Sequence, residues 1–160
     1  MNTKRILFVC TGNSCRSVMA ERLLRQALQR AEVEQVQVES AGVFAIPGMG
    51  PTRETMRVLQ DAGIDCADHR ARVLAAQMVE EADLVFVMEP FQLEEVLRRF
   101  PTARGKVRLL KPYTVAEGEP LQHPAIPDPI GKPLEVYEVC FAEIREAIER
   151  LSKSLGVRSA

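Results

Sequence analysis

No stretch of the 160 residues stays apolar for anything near the roughly 20 positions a membrane span needs. The opening MNTKRILFVC has a short basic flank and about six apolar residues, but no longer apolar region and no small-residue cleavage site. It reads as a first β-strand rather than a secretory signal. Histidine is scarce: His69 and His123 stand far apart. No two of the four cysteines (Cys10, Cys15, Cys66 and Cys140) form a C-x-x-C pair. A zinc site is therefore not expected, and no metal or cofactor is assigned. The cysteines are also too few and too irregular for a secreted disulfide framework, so free thiols in a reducing cytoplasm are expected. Excess charge is missing as well. Lys and Arg number 21 against 22 Asp and Glu, a formal net charge of -1, which gives no electrostatic reason to expect nucleic acid or an anionic membrane surface as a partner. There are no internal repeats and no low-complexity segments.

What is present is an alternation of elements in an ordinary globular composition, 46% apolar and 27% charged. The length suits one domain over residues 1–160, with a monomer as the default. RILFVC (5–10) is a continuous apolar run followed by turn chemistry, the mark of a buried parallel strand. Residues 16–31 place Met19, Leu23, Leu24, Ala27 and Leu28 on one helical stripe. VQVES (36–40) is a second strand. Residues 51–65 read as a helix with Pro51 in its first turn and Gly63 as its stop. A short helix (74–82), a third strand (83–88), a helix (90–100) and a fourth strand (106–110) follow. Residues 111–134 hold six of the ten prolines: Pro112, Pro120, Pro124, Pro127, Pro129 and Pro133. That density excludes helix and central strand and leaves a long loop, functional or disordered. The last helix (134–155) is expected to bury Val136, Val139, Cys140, Ile144, Ala147, Ile148 and Leu151. The pattern implies an α/β fold: a four-stranded parallel sheet with helices on both faces, a three-layer sandwich. Ligands of such sheets bind beyond the carboxyl ends of the strands, and the loop after strand 1 is the natural place.

That loop reads VCTGNSCRS (9–17). Between a strand end and a helix start, successive N–H groups of Thr11, Gly12, Asn13, Ser14 and Cys15 are free to converge, and the helix adds about half a positive charge. Gly12 is expected to supply the unusual backbone conformation this needs. Arg16 offers a planar fork matched to phosphate oxygens. The loop is thus a phosphate cradle with Cys10 on its rim. The field that draws phosphate also favours a thiolate, and Ser17 is placed to donate to it. An activated sulfur beneath a phosphoryl group suggests attack on phosphorus and a phosphocysteine that water later hydrolyses. Asp128, held between Pro127 and Pro129 in PAIPDPIGKP, is the candidate proton donor and base.

Each residue has a plainer reading when taken alone. A cysteine after a first strand is usually a small buried apolar residue, and an arginine at a helix start is usually solvated. An aspartate before proline is a turn residue. The spacing C-x5-R-S directly between strand and helix is what sets the plainer readings aside.

The sequence resembles the low-molecular-weight protein tyrosine phosphatase family. VCTGNSCRS resembles its phosphate loop. MAE (19–21), SAG (40–42), GID (63–65), HRAR (69–72), ADLVFVM (82–88) and DP (128–129) follow in family order over nearly the whole chain. The resemblance implies that Cys10 is the nucleophile, that Arg16 binds phosphate and the transition state, and that Asp128 is general acid, then general base. It implies that Asn13, Ser17, Ser40 and His69 form a network that holds the loop. From the residues alone, Asn13, Ser40 and His69 read as a turn residue, a strand-end residue and a half-buried imidazole. It further implies that Cys15 lies near Cys10 and can pair with it reversibly under oxidation. The implied partner is a phosphorylated protein.

Three departures separate the chain from the tyrosine-directed members. Ser14 stands where those have a bulky aliphatic residue. Ile130 and Gly131 follow DP where those carry tyrosines. Val18 replaces the usual proline after RS. The first two departures resemble the bacterial protein-arginine phosphatase branch, with Ser14 in place of Thr and Ile130 in place of Phe. Phosphotyrosine and phosphoarginine therefore both stand as substrates. Two other readings compete. Thioredoxin-coupled arsenate reductases share CTGNSCRS, but need two further cysteines just after the third strand, where VFVMEPFQLEEV has none. A non-catalytic phosphate-binding module would need the cradle but neither Cys10 nor Asp128.

Overall fold

In a computed structural model of the protein, which describes residues 3–158, the chain alternates strand and helix as the sequence suggests. β1 (Lys4–Cys10), β2 (Val36–Gly42), β3 (Leu84–Val87) and β4 (Val107–Leu109) form one parallel sheet in the order β2-β1-β3-β4. Its helices are α1 (Arg16–Arg30), α2 (Arg53–Asp61), α3 (Ala76–Glu81), α4 (Pro90–Arg99), α5 (Leu110–Thr114) and α6 (Leu134–Ser154).

Two cores flank the sheet, and β1 feeds both because successive strand side chains point to opposite faces. Ile6, Phe8 and Cys10 join the core under α1, α2 and α6. Leu7 and Val9 join the smaller core under α3 and α4. The chain steps from β1 outward to β2, then returns past β1 to β3. That reversal opens a crevice beyond the carboxyl ends of β1 and β3. The free edge of β2 is partly guarded: Arg25 donates to Val38 O (2.8 Å) and Arg72 to Ser40 O (3.1 Å), so those two carbonyls are taken.

Three expectations are corrected. A helix does occur within the proline-rich stretch. α5 begins at Leu110 and carries Pro112 as its third residue, where a helix leaves its N–H groups unpaired in any case. The helix after Pro51 starts at Arg53, because the Thr52 hydroxyl caps it by accepting from Thr55 N (3.2 Å). It ends at Asp61, and Gly63 follows in the left-handed region (φ 78°). In α6 the buried stripe is rotated from the expected one. Val136 and Val139 are exposed, while Tyr137 and Phe141 are buried beside Cys140, Ile144, Ala147, Ile148 and Leu151. Positions 137, 140, 141, 144, 147, 148 and 151 share one face at helical spacing. The two valines lie off it.

Candidate active site

β1 delivers Cys10 to the carboxyl end of the sheet, and α1 starts six residues later at Arg16. The turn between them is held from within. Asn13, not Gly12, takes the left-handed conformation (φ 53°), and Gly12 is absent from the positive-φ residues. Asparagine tolerates that region better than most residues, and here every polar atom of Asn13 is used. Its side-chain amide donates to Ser17 Oγ (2.8 Å) and Ser40 Oγ (3.0 Å). Its Oδ1 accepts from Arg72 N (2.9 Å), and its backbone O meets His69 Nε2 at 2.7 Å. His69 is fully packed in this network rather than half-buried. One buried side chain thus ties the turn to α1, β2 and the segment after His69.

The remaining bond converges on sulfur. Asn13 N donates to Cys10 Sγ (3.3 Å), and Ser17 Oγ lies 2.9 Å from it. Because Ser17 Oγ already accepts from Asn13, its hydroxyl hydrogen is free to point at the sulfur. Two donors on one sulfur is the arrangement a thiolate requires. The first turn of α1 has neither a side-chain cap nor an acidic residue, so its N–H groups and dipole face the cradle unneutralised.

Arg16 lies behind this turn with only 1% of its side chain exposed. Its guanidinium donates to Ile126 O (2.7 Å), pairs with Glu89 at 2.8 Å and reaches Asp128 at 3.5 Å. Burial alone would lower its pKa. The negative charge of Cys10, then Glu89 and Asp128, outweigh burial and raise it, so the group remains a cation. The Asp128 loop is fixed by Ile126 N on Met88 O (2.9 Å) and by Ile130 N on Asp128 Oδ1 (3.0 Å). Asp128 is partly open to solvent and Ile130 is exposed on the rim. Ser14 is buried within the turn, its hydroxyl 3.7 Å from Cys15 Sγ. The Cys15 sulfur is directed to Thr52 and Tyr137 hydroxyls, each at 3.6 Å. Burial pushes the Tyr137 phenol well up, keeping it a neutral donor. None of the four cysteines is in a disulfide. Burial raises Cys66, and it pushes Cys140 up to about 12.

Three further residues support the site. Gly42 ends β2 where an added Cβ would meet Thr11 O at 2.6 Å and Asn13 N at 2.9 Å; only glycine allows the turn to lie on the strand. Glu89 and Gln92 follow β3 in EPFQ. Gln92, fully buried, accepts from Met88 N (2.8 Å) and Glu89 N (3.2 Å) and donates to Thr11 Oγ1 (3.1 Å). Their position just past β3, beside the reversal in strand order, is the signal that points to them.

A family model described as low molecular weight phosphotyrosine protein phosphatase matches residues 5–159. The chain belongs to that family. A protein-arginine-phosphatase of Geobacillus stearothermophilus is 38% identical over 152 residues, covering 94% of this chain and 95% of that protein. A probable low molecular weight protein-tyrosine-phosphatase, EpsP, of Ralstonia nicotianae is 36% identical over 146 residues, 91% of this chain and 92% of its own. Among solved structures, a cysteine-to-serine mutant of the YwlE arginine phosphatase, with its active-site serine phosphorylated, matches with a TM-score of 0.86 at 35% identity and 95% coverage of each chain. As a member of the low molecular weight phosphatases, this chain is a protein phosphatase by class. Among its described residues, no helix is long and apolar enough to cross a membrane.

Proposed function

We propose that this chain, as one domain over residues 1–160 and as a cytoplasmic monomer, removes phosphate from phosphotyrosine or phosphoarginine in proteins by way of a phosphocysteine on Cys10. The observation that carries the reading is the Cys10 sulfur itself, which faces two hydrogen-bond donors at the rim of a turn backed by a buried, cationic Arg16. The phosphorylated serine in the YwlE mutant supports the same covalent step.

The thiolate attacks phosphorus, the bond to the leaving oxygen or nitrogen breaks, and Asp128 gives that atom a proton. A water molecule then attacks the phosphocysteine. Asp128 takes its proton, the sulfur–phosphorus bond breaks, and inorganic phosphate leaves with the thiolate restored. Charge on the equatorial oxygens is met by the amides of the turn other than that of Asn13, which serves the sulfur, by the α1 N-terminus and by the Arg16 fork, so no metal ion is called for. Thr11, Gly12, Asn13, Ser14, Cys15 and Ser17 form the phosphate-binding turn. Ser40 and His69 hold its shape through Asn13. Glu89 and Gln92 position Arg16 and Thr11. The small Ser14 and the tyrosine-free rim at Ile130 favour a phosphoguanidinium over a phosphophenol.

The test is turnover of phosphotyrosine and phosphoarginine peptides by the wild type and by Cys10→Ser, with a metal chelator present throughout. Wild-type hydrolysis with loss of turnover, but retained phosphate binding, in the variant is expected. Undiminished turnover by Cys10→Ser contradicts the assignment.

A further inference from the structure

Exposed apolar side chains occur on the loops that surround the phosphate-binding turn. Among the described residues nine large hydrophobics are exposed. Five of them (Phe44, Ile46, Met49, Phe91 and Ile130) lie on the loop after β2, at the start of α4, or on the Asp128 loop. Phe44, Phe91 and Ile130 among them border the phosphate-binding turn, through Thr11 and through the Asp128 loop. One exposed apolar side chain needs no explanation, whereas two that pack on each other beside a binding site do.

Two of the five form a defined surface. Phe44 is 54% exposed and Phe91 48%, yet their rings stack with centroids 6.0 Å apart and planes 26° apart. The Arg99 guanidinium sits 4.9 Å from the Phe44 centroid and is itself held by Glu95 at 2.8 Å. Both rings are fixed relative to the phosphate site through one residue. Phe44 N donates to Thr11 O (2.9 Å), and Gln92, next to Phe91, donates to Thr11 Oγ1 (3.1 Å). The hydrolytic steps use neither ring.

We propose that Phe44 and Phe91 form a docking ledge for the residues that flank the phosphorylated side chain of a protein substrate, and that the ledge selects apolar neighbours. The proposal rests on the phosphatase reading above. The occupant follows from continuity with the phosphate site: a phosphorylated side chain that reaches Cys10 brings its own backbone to the rim. Each further residue extends the chain by about 3.5 Å, so a neighbour one or two positions away is within reach of the rings beside Thr11. There the stacked rings offer area that a leucine covers and a glycine does not. Half-burying such a side chain corresponds to about tenfold in kcat/KM.

The experiment compares phosphopeptides that carry leucine or glycine on either side of the phosphorylated residue, made in phosphotyrosine and phosphoarginine forms. The wild type is expected to prefer the leucine peptides about tenfold. Phe91→Ala is expected to bring the ratio within about twofold, and Phe91→Leu to keep most of it. The wild-type ratio decides even if Phe91→Ala does not fold: equal rates on leucine and glycine peptides overturn the ledge and leave the phosphatase reading intact. A preference unchanged in Phe91→Ala overturns it too. So does sedimentation showing a concentration-dependent dimer that Phe91→Ala abolishes, since a second copy would then be the occupant. Failure to hydrolyse any of the peptides overturns the phosphatase reading and the ledge together.

Discussion

The Glu89 carboxylate lies 2.8 Å from the Arg16 guanidinium, across a sequence separation that no local pattern connects. It fixes a cation that is otherwise buried behind the phosphate-binding turn. Removing it leaves Arg16 to Ile126 O and Asp128 alone. Glu89→Ala is expected to weaken competitive inhibition by inorganic phosphate and to lower kcat/KM by about ten- to a hundredfold, since a displaced binding group costs on that order. Glu89→Asp should recover part of both. Unchanged phosphate inhibition in Glu89→Ala would show that Arg16 is oriented without it.

Asp128 stands 3.5 Å from Arg16 on a loop pinned to Met88. As the acid, it matters most where the leaving group is poor. Asp128→Ala should cost about 10²–10⁴ on poor leaving groups and far less on good ones such as nitrophenol. The check is a plot of log kcat/KM against leaving-group pKa, which should steepen in the variant. A uniform drop would remove Asp128 from that role.

Ser14 is the small buried side chain inside the turn. Replacing it with isoleucine fills space next to the bound group. Ser14→Ile should shift the ratio of kcat/KM for phosphotyrosine over phosphoarginine peptides upward by about tenfold, the size of effect a few methylene groups exert on selectivity. An unaltered ratio would place the choice of substrate elsewhere on the rim.

Cys140 gives a pH dependence with a definite sign. Burial pushes its thiol from 9.0 up to about 12. A group whose folded pKa is raised stabilises the fold fully below its unfolded value and loses that contribution as pH rises toward the folded one. Stability should therefore fall between about pH 9 and pH 12. At pH 10 the loss due to this group is about 1 kcal/mol. Thermal melts at pH 7 and pH 10 check it: Cys140→Val, which cannot ionise, should lose less Tm than the wild type. Equal losses would mean that Cys140 contributes nothing to alkaline instability.

The sheet and the turn were readable because their signals are local. A continuous apolar run ending in Cys10, then small polar residues, then an amphipathic stripe, specify strand, turn and helix within about 24 residues. What escaped was set by angle or by distance. Val136 and Val139 read as core by hydrophobicity, yet the face that meets α1 and the Cys15 sulfur is the one carrying Tyr137, Cys140 and Phe141. Pro112 read as a helix breaker, but in a first turn it removes no bond. The local pattern favours Gly12 for the strained conformation. Asn13 takes it instead, because four partners on other segments hold it there. Glu89 and Gln92 become visible only when β3 is laid beside β1, and the reason for a glycine at the end of SAG appears only when Gly42 is seen against Thr11.

The central claim is the covalent intermediate on Cys10. Rapid acid quenching of the wild type during turnover of nitrophenyl phosphate, followed by mass spectrometry of the peptide containing Cys10, tests it directly. One phosphoryl group on that peptide, more abundant in Asp128→Ala because hydrolysis is slowed, is the expected result. Turnover with no phosphoryl group on Cys10, or with one on a different residue, would contradict it.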